Sequence, residues 1–305
     1  MKKKQDIRDI FFDNIKSIFL KNKNFYICTN DADVFSLNKI KQKKRFINVG
    51  VAEQNLINIS AGLASQKKIP LIFGFCTFLT FRCYEQIKFN ISSHNLNCKI
   101  VGIGPGFSFP YDGPTHHGIQ DLYLMYLIPE MEVINISDNN LADKISKNIL
   151  KINGPVYIRL DKGVSNFNEK VSYNLKKGFE YTCLKKGNKK LILSTGTIIK
   201  TANEVSKHSK ECDVINFFRY KNFDRALLKK IFKKYKKIIV FDENTYNGGI
   251  SPIVNDMIIN INFRGKIKYL TLPDKQIFLY DTNRTKLLEK FKLDFYNLHK
   301  LVKGF

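Results

Sequence analysis

Short apolar, β-branched runs alternate along this chain with stretches whose apolar residues recur three and four positions apart. Runs of the first kind predict buried strands, and stretches of the second predict helices with one face on a core. Strands are expected at 25–29, 46–49, 70–75, 98–103, 132–136 and 156–160, and helices around 5–20, 53–65, 78–92, 119–127 and 139–151. From 161 to 188 the pattern degrades into polar sequence containing Lys and Gly, which reads as an interdomain crossing. A second alternation follows, with strands at 190–194, 214–217, 238–241 and 268–272, intervening helices that include 224–235 and one after Gly249, and a mainly helical last stretch. Alternation of this kind is the signature of a parallel sheet covered by helices. The expectation is therefore an α/β chain of two domains, 1–165 and 188–305, each a mainly parallel sheet flanked by helices, joined by a linker over 166–187.

Length supports two cores, since 305 residues exceed what one hydrophobic core usually organises. The longest uncharged run, Ile69 to Phe81, is too short to cross a bilayer as a helix. Met1-Lys-Lys-Lys leads into Asp6, Arg8 and Asp9, not an apolar stretch, so no signal peptide is read. Six scattered cysteines without a CxxC pair fit reduced core residues of a cytoplasmic protein and suggest no metal site. The net charge of +24 raises the question of nucleic acid. However, the lysines are spread over the whole chain, as on solvated helix faces, so no nucleic-acid or membrane partner is expected; anionic substrates would be drawn to such a surface.

Three segments carry chemistry. In Arg45-Phe-Ile-Asn-Val-Gly-Val-Ala-Glu53-Gln-Asn a single carboxylate falls where a strand gives way to a helix. Such a residue can merely complement the helix dipole, but the carboxyl end of a strand is also where open α/β sheets bind ligands. In Phe75-Cys-Thr-Phe78-Leu-Thr-Phe81-Arg82, three phenylalanines recur at intervals of three, either as core packing or as a surface for a flat ring. The third, Gly102 to Gly118, is a Gly/Pro-rich loop after a strand that holds Asp112, His116 and His117.

Taken in order, these segments resemble the pyrimidine-binding domain of transketolases, which depend on thiamine diphosphate. The resemblance continues through Leu127-Ile-Pro-Glu-Met-Glu-Val and Gly154-Pro-Val-Tyr-Ile-Arg. It reaches the family's C-terminal domain through Leu193-Ser-Thr-Gly196, Phe241-Asp-Glu243-Asn and Gly248-Gly249-Ile. It implies that Glu53 is the glutamate that hydrogen-bonds N1′ of the cofactor's aminopyrimidine and so promotes activation of the thiazolium C2. It further implies that Phe75, Phe78 and Phe81 line the pyrimidine pocket, with Phe78 stacked on the ring, and that Asp33 lies near the cofactor. Asp112 and His116 match residues that bind sugar hydroxyls, His116 also assisting proton transfer. His117 replaces a usual glutamine. Arg8 and Lys162 match positions that hold a substrate phosphate, Lys162 in place of an arginine and so without its bidentate fork. Gly104 stands where a histidine normally faces the substrate, and Leu37 replaces a phosphate-binding serine. These departures point to an unusual donor or acceptor. Glu243 is assigned no catalytic role.

No Gly-Asp-Gly, the family's mark of the Mg²⁺- and diphosphate-binding domain, occurs in the chain. The resemblance is therefore to the carboxyl-terminal subunit of a split transketolase. It implies a separate N-terminal subunit that carries the metal and diphosphate, two copies of each chain, and sugar or sugar phosphate substrates. Alternative readings are a subunit like 1-deoxyxylulose-5-phosphate synthase, the β subunit of 2-oxo acid dehydrogenases, or a non-catalytic binding protein on the same fold.

Overall fold

A computed structural model of the chain describes residues 6–163, 165, 171–185, 187–278 and 282–305. Helix α1 (Ile7–Lys21) begins at Asp6, whose carboxylate accepts from the Arg8 amide, and leads into β1 (Phe25–Thr29). Next come β2 (Phe46–Asn48), α2 (Glu53–Ser65) and β3 (Ile69–Phe75). The single helix expected over 78–92 is instead composite: two π-helical turns, Phe78–Arg82 and Ile87–Ser92, flank the short α3 (Tyr84–Gln86). The domain is completed by β4 (Lys99–Ile103), a 3₁₀ turn at Pro110–Thr115, α4 (Asp121–Tyr126), β5 (Glu132–Asn135), α5 (Asn139–Lys147) and β6 (Val156–Leu160).

These six strands form one parallel sheet in the order β2-β1-β3-β4-β6-β5. One face packs on α1 and α5 through Phe11, Phe12, Ile15 and Ile145. The other packs on α2 and the π-helical segment through Leu56, Ile57, Leu79 and Ile87. Burial on both faces explains why the strands read as unbroken apolar runs.

The second sheet contains β7 (Phe179–Cys183), β8 (Lys190–Ser194), β9 (Cys212–Phe217), β10 (Lys237–Thr245) and β11 (Lys266–Leu272). Its order is β11-β10-β8-β9-β7, with β7 antiparallel to β9 and the rest parallel. Around it lie α6 (Ile199–Ser209), α7 (Arg225–Phe232), α8 (Ser251–Ile259), α9 (Arg284–Lys290) and α10 (Phe295–Gly304). Here the expected linker of 166–187 is corrected: 166–170 and 186 lie outside the described residues, but β7 belongs to the second sheet. An antiparallel edge strand buries only some of its residues, so Phe-Glu-Tyr-Thr-Cys lacks the apolar run that marks the parallel strands.

The two domains are joined by backbone bonds and by ion pairs. The Asn135 amide donates to the Phe218 carbonyl at 2.9 Å and the Tyr220 amide to the Val133 carbonyl at 3.0 Å, which covers the β5 edge. Arg284 reaches Asp161 of the first domain at 2.8 Å and clasps both oxygens of Glu243 at 3.0 and 2.6 Å. Among the described residues, no helix is long and apolar enough to cross a membrane. All six cysteines are free, and all but Cys183 are buried.

Candidate active site

In the first sheet, β2 and β3 lie on opposite sides of β1, so the direction of winding reverses between β1 and β3. Ligands of open α/β sheets bind outside the carboxyl ends of the strands at such a reversal. Asn30 to Asp33 follow β1 there, Glu53 opens α2 just after β2, Phe75 ends β3, and the loop after β4 packs Phe109 and His116 against Phe75.

Glu53 is buried, with 3% exposure. Its Oε1 accepts from Asn30 Nδ2 at 2.9 Å and its Oε2 from Arg82 Nη1 at 2.7 Å. Burial alone would raise its pKa, but bonds from its own backbone amide, Arg82 and Asn30, with the charge of Arg82, hold it below the ordinary glutamate value. The carboxylate is ionised at neutral pH. Asn30 fits here because Gly74 has no side chain: a Cβ on Gly74 would lie 2.4 Å from Asn30 Oδ1. That oxygen is buried and has no hydrogen-bond partner among the described residues.

Beside this pair the aromatic rings converge edge to face. Phe75 and Phe78 are 5.6 Å apart, and His116 lies 5.2 Å from the first and 4.9 Å from the second. Thr115 Oγ1 is 3.0 Å from His116 Nδ1. Phe81 is not part of the cluster and is 42% exposed. The wide π-helical turn carries it off the face that a spacing of three predicts, and places the Arg82 guanidinium 4.9 Å over the Phe78 ring instead.

A cleft of about 280 Å³ opens alongside, lined by Arg8, Asp31, Ala32, Asp33, Gly74, Phe75, Ile103 and Phe109. Larger hollows of about 610 and 470 Å³ lie elsewhere, one in the second domain at Lys233–Lys237 and Ile261–Lys266, the other around Glu130, Asn153 and Asn222, and neither touches these residues. Asp33 stands at the rim of the cleft, paired with Lys41 at 2.6 Å. Lys162 Nζ sits 4.1 Å over the Phe109 ring, its pKa lowered by burial and then by the charge of Arg8. Asp112 is exposed on the 3₁₀ turn. His117 is not brought to the cleft. It is buried with its ring 5.0 Å from Phe107, which stacks in turn on Phe291 of the second domain.

The structure thus brings Phe75, Phe78 and His116 together, with Glu53 tied to them through Arg82, and places Arg8, Asp33 and Lys162 at the adjoining cleft. Asn30, Arg82 and Phe109 are the residues that sequence reasoning left without a role. Asn30 had one signal, an amide closing an otherwise apolar strand, and Arg82 another, a lone cation among aromatics. Among the described residues, no group of three or more His, Cys, Asp or Glu side chains could hold a metal ion. The arrangement offers a buried anion for a ring nitrogen, aromatic walls, an imidazole for proton transfer, and two cations for an anionic end.

Residues 3–166 match the family described as transketolase, pyrimidine binding domain, and residues 180–295 match transketolase, C-terminal domain. The chain is 30% identical over 268 residues to 1-deoxy-D-xylulose-5-phosphate synthase of Clostridium beijerinckii, covering 86% of this chain but only 42% of that protein. It therefore spans less than half the length of that relative. It is 30% identical over 218 residues to an apulose-4-phosphate transketolase subunit of Actinobacillus succinogenes, covering 70% of each. Among solved structures, one described as a split gene transketolase, inactive beta4 tetramer, superposes with a TM-score of 0.84 at 26% identity, covering 98% of this chain and 97% of the other.

Proposed function

The chain belongs to the transketolase family, and from that premise we propose that it is the carboxyl-terminal subunit of a thiamine diphosphate-dependent ketol transferase completed by a separate subunit. The observation that carries this reading is the buried, ionised Glu53 set beside Asn30 and the Phe75, Phe78 and His116 rings. These residues suit an aminopyrimidine: Glu53 would hold the proton of a ring nitrogen, and the orphaned Asn30 Oδ1 would accept from the exocyclic amine. Phe75 and Phe78 would flank the ring. When bound, the cofactor supplies carbanion-stabilising chemistry, while the protein orients it and tunes it.

The remaining roles follow from position. His116, half-buried against both phenylalanines, would move a proton at a substrate hydroxyl. Asp33 would lie near the cofactor and Asp112 would bind a substrate hydroxyl, while Arg8 through its planar fork and Lys162 as a point charge would attract an anionic end. Phe81, Val51 and Phe35 are exposed large apolar side chains, each within two residues of Arg82, Glu53 or Asp33 in the chain. Exposed apolar side chains of this kind suit a docking protein. Such a partner would carry the diphosphate and Mg²⁺, in an assembly of two copies of each chain in the cytoplasm. The subunit and split-gene names of the relatives that match along most of their length support the division.

The test is to purify this chain with and without the diphosphate-binding subunit. Mg²⁺-dependent thiamine diphosphate binding is measured by calorimetry, and ketol transfer is measured from a hydroxyketose. Binding and turnover are expected only with both chains present, and tight Mg²⁺-dependent binding by the lone chain would overturn the division. The match to 1-deoxy-D-xylulose-5-phosphate synthase favours a second reading, with pyruvate as donor; turnover of pyruvate in place of a hydroxyketose would select it.

A further inference from the structure

The loop after β4 turns an aromatic ring, not a polar side chain, towards the middle of the cleft. Gly104 leaves the strand at φ +89°, and a Cβ built on it would lie 2.4 Å from Cε2 and 2.6 Å from Cδ2 of Phe109. The Phe109 ring therefore fills the volume into which a side chain at 104 would project, and the positive φ disfavours one in any case.

Phe109 also holds a defined place between the two ends of the site. Its ring is 5.0 Å from Phe75 and 6.1 Å from His116. On its face lies Lys162 Nζ at 4.1 Å, and Arg8 lines the same cleft. The contacts thus run from His116 through Phe75 and Phe109 to the cations. Between the imidazole and the charged end, this wall consists of Phe75, Ile103 and Phe109, which offer no side-chain donor or acceptor. The polar groups of the cleft, Asp31 and Asp33, are exposed at its rim.

A substrate that spans these ends lays its middle carbons against hydrocarbon. A hydroxyl turned to the wall gives up water and gains no hydrogen bond, whereas a methylene or methyl gains burial. We propose that Phe109 is a specificity-determining residue that selects an anionic sugar deoxygenated, or carrying an alkyl group, at the middle carbon facing it. This inference rests on the ketol-transfer reading above. Apolar pockets discriminate against an added hydroxyl by roughly ten- to a hundredfold, which sets the size of the expected effect.

The experiment uses the assembled enzyme with L-erythrulose as donor and D-ribose 5-phosphate, its 2-deoxy analogue and its 3-deoxy analogue as acceptors. One of the deoxy sugars is expected to exceed ribose 5-phosphate in kcat/KM by about tenfold or more. Phe109→Leu, which keeps an apolar wall, should preserve the ratio, and Phe109→Ser should reduce it to near unity. A wild-type enzyme that uses ribose 5-phosphate as well as or better than both analogues overturns the proposal, whether or not Phe109→Ser assembles. So does a ratio left unchanged in Phe109→Ser. Transfer without preference defeats this inference alone. Absence of transfer to all three acceptors, in an assembly that binds thiamine diphosphate, defeats the ketol-transfer reading and this inference with it.

Discussion

Arg82 Nη1 lies 2.7 Å from Glu53 Oε2, joining a side chain that is 49% exposed to a carboxylate that is 3% exposed. The guanidinium also covers the Phe78 ring, so one residue contacts both the acid and the aromatic wall of the site. Helical spacing alone would have put Phe81 there. The π-helical turn instead makes Arg82 the cation that offsets the burial of Glu53.

Removing that cation should be visible in the titration of Glu53. A glutamate whose folded pKa is depressed stabilises the fold above its unfolded pKa, and that contribution is lost as pH falls through the folded value. In Arg82→Met, burial is opposed only by Asn30 and the backbone amide, so the carboxyl should titrate at higher pH. Because Arg82 is half-exposed, the cost at neutral pH should be about 1–2 kcal/mol. Carbon-13 NMR of the Glu53 carboxyl and urea midpoints against pH measure both. An unmoved titration would show that the ion pair does not hold the charge.

His117 gives a pH dependence of the opposite origin. Burial lowers its pKa and the charge of the neighbouring His116 adds to the effect, together outweighing the Pro110 carbonyl and the charge of Asp112, which raise it. Between the depressed folded value and the ordinary value of 6.5, the unfolded chain binds more protons, so stability should fall as pH drops below about 6.5. His117→Phe should flatten that slope in urea denaturation between pH 7 and 5. Equal slopes in the two proteins would contradict the burial of a neutral imidazole.

The elements that the sequence pattern disclosed share one property: both their faces, or one long face, are apolar. α2 spans Glu53–Ser65 as its spacing implies, because Leu56, Ile57, Ser60, Ala61 and Ala64 all face the core. β7 was hidden because an antiparallel edge buries Phe179 and Thr182 while leaving Glu180 and Tyr181 partly open. The site was legible where one residue type suffices, as at Glu53 and His116. It was illegible where neighbours decide the outcome. Nothing in the string shows that Phe109 occupies the space next to Gly104, or that His117 turns away from the cleft to face Phe107.

Lys99 is a buried cation with neutral partners. Its ammonium donates to Asn97 Oδ1 at 2.5 Å and to the Ile152 and Gly154 carbonyls, and burial lowers its pKa to about 8. From pH 8 to the ordinary lysine value of 10.5 the unfolded chain holds more protons, so stability should rise with pH across that window. The rise should reach as much as about 3 kcal/mol relative to Lys99→Met, which lacks the titrating group. Urea midpoints for the two proteins at pH 7.5 and 10 decide this, and parallel pH profiles would exclude it.

Arg284 links the domains at the point where they also support the site. It binds Asp161 and Glu243, both buried, and Glu243 Oε1 in turn accepts from the Phe107 amide at 2.9 Å. Burial works against the charge on Asp161, but Arg284, Ser108 and Thr197 together hold its pKa below the ordinary aspartate value. Arg284→Met would leave two buried carboxylates without a counter-ion, at a cost of about 3 kcal/mol or more. Arg284→Lys should recover only part of this, since a single ammonium cannot clasp both oxygens of Glu243 while reaching Asp161. Ser108 and Phe107 belong to the loop that carries Phe109 and His116, so loosening the link should also disturb the cleft. Arg284→Met should therefore show a lower urea midpoint and a weaker KM for the acceptor in the assembled enzyme. A midpoint shift with an unchanged KM would mean that the loop keeps its shape without the strut.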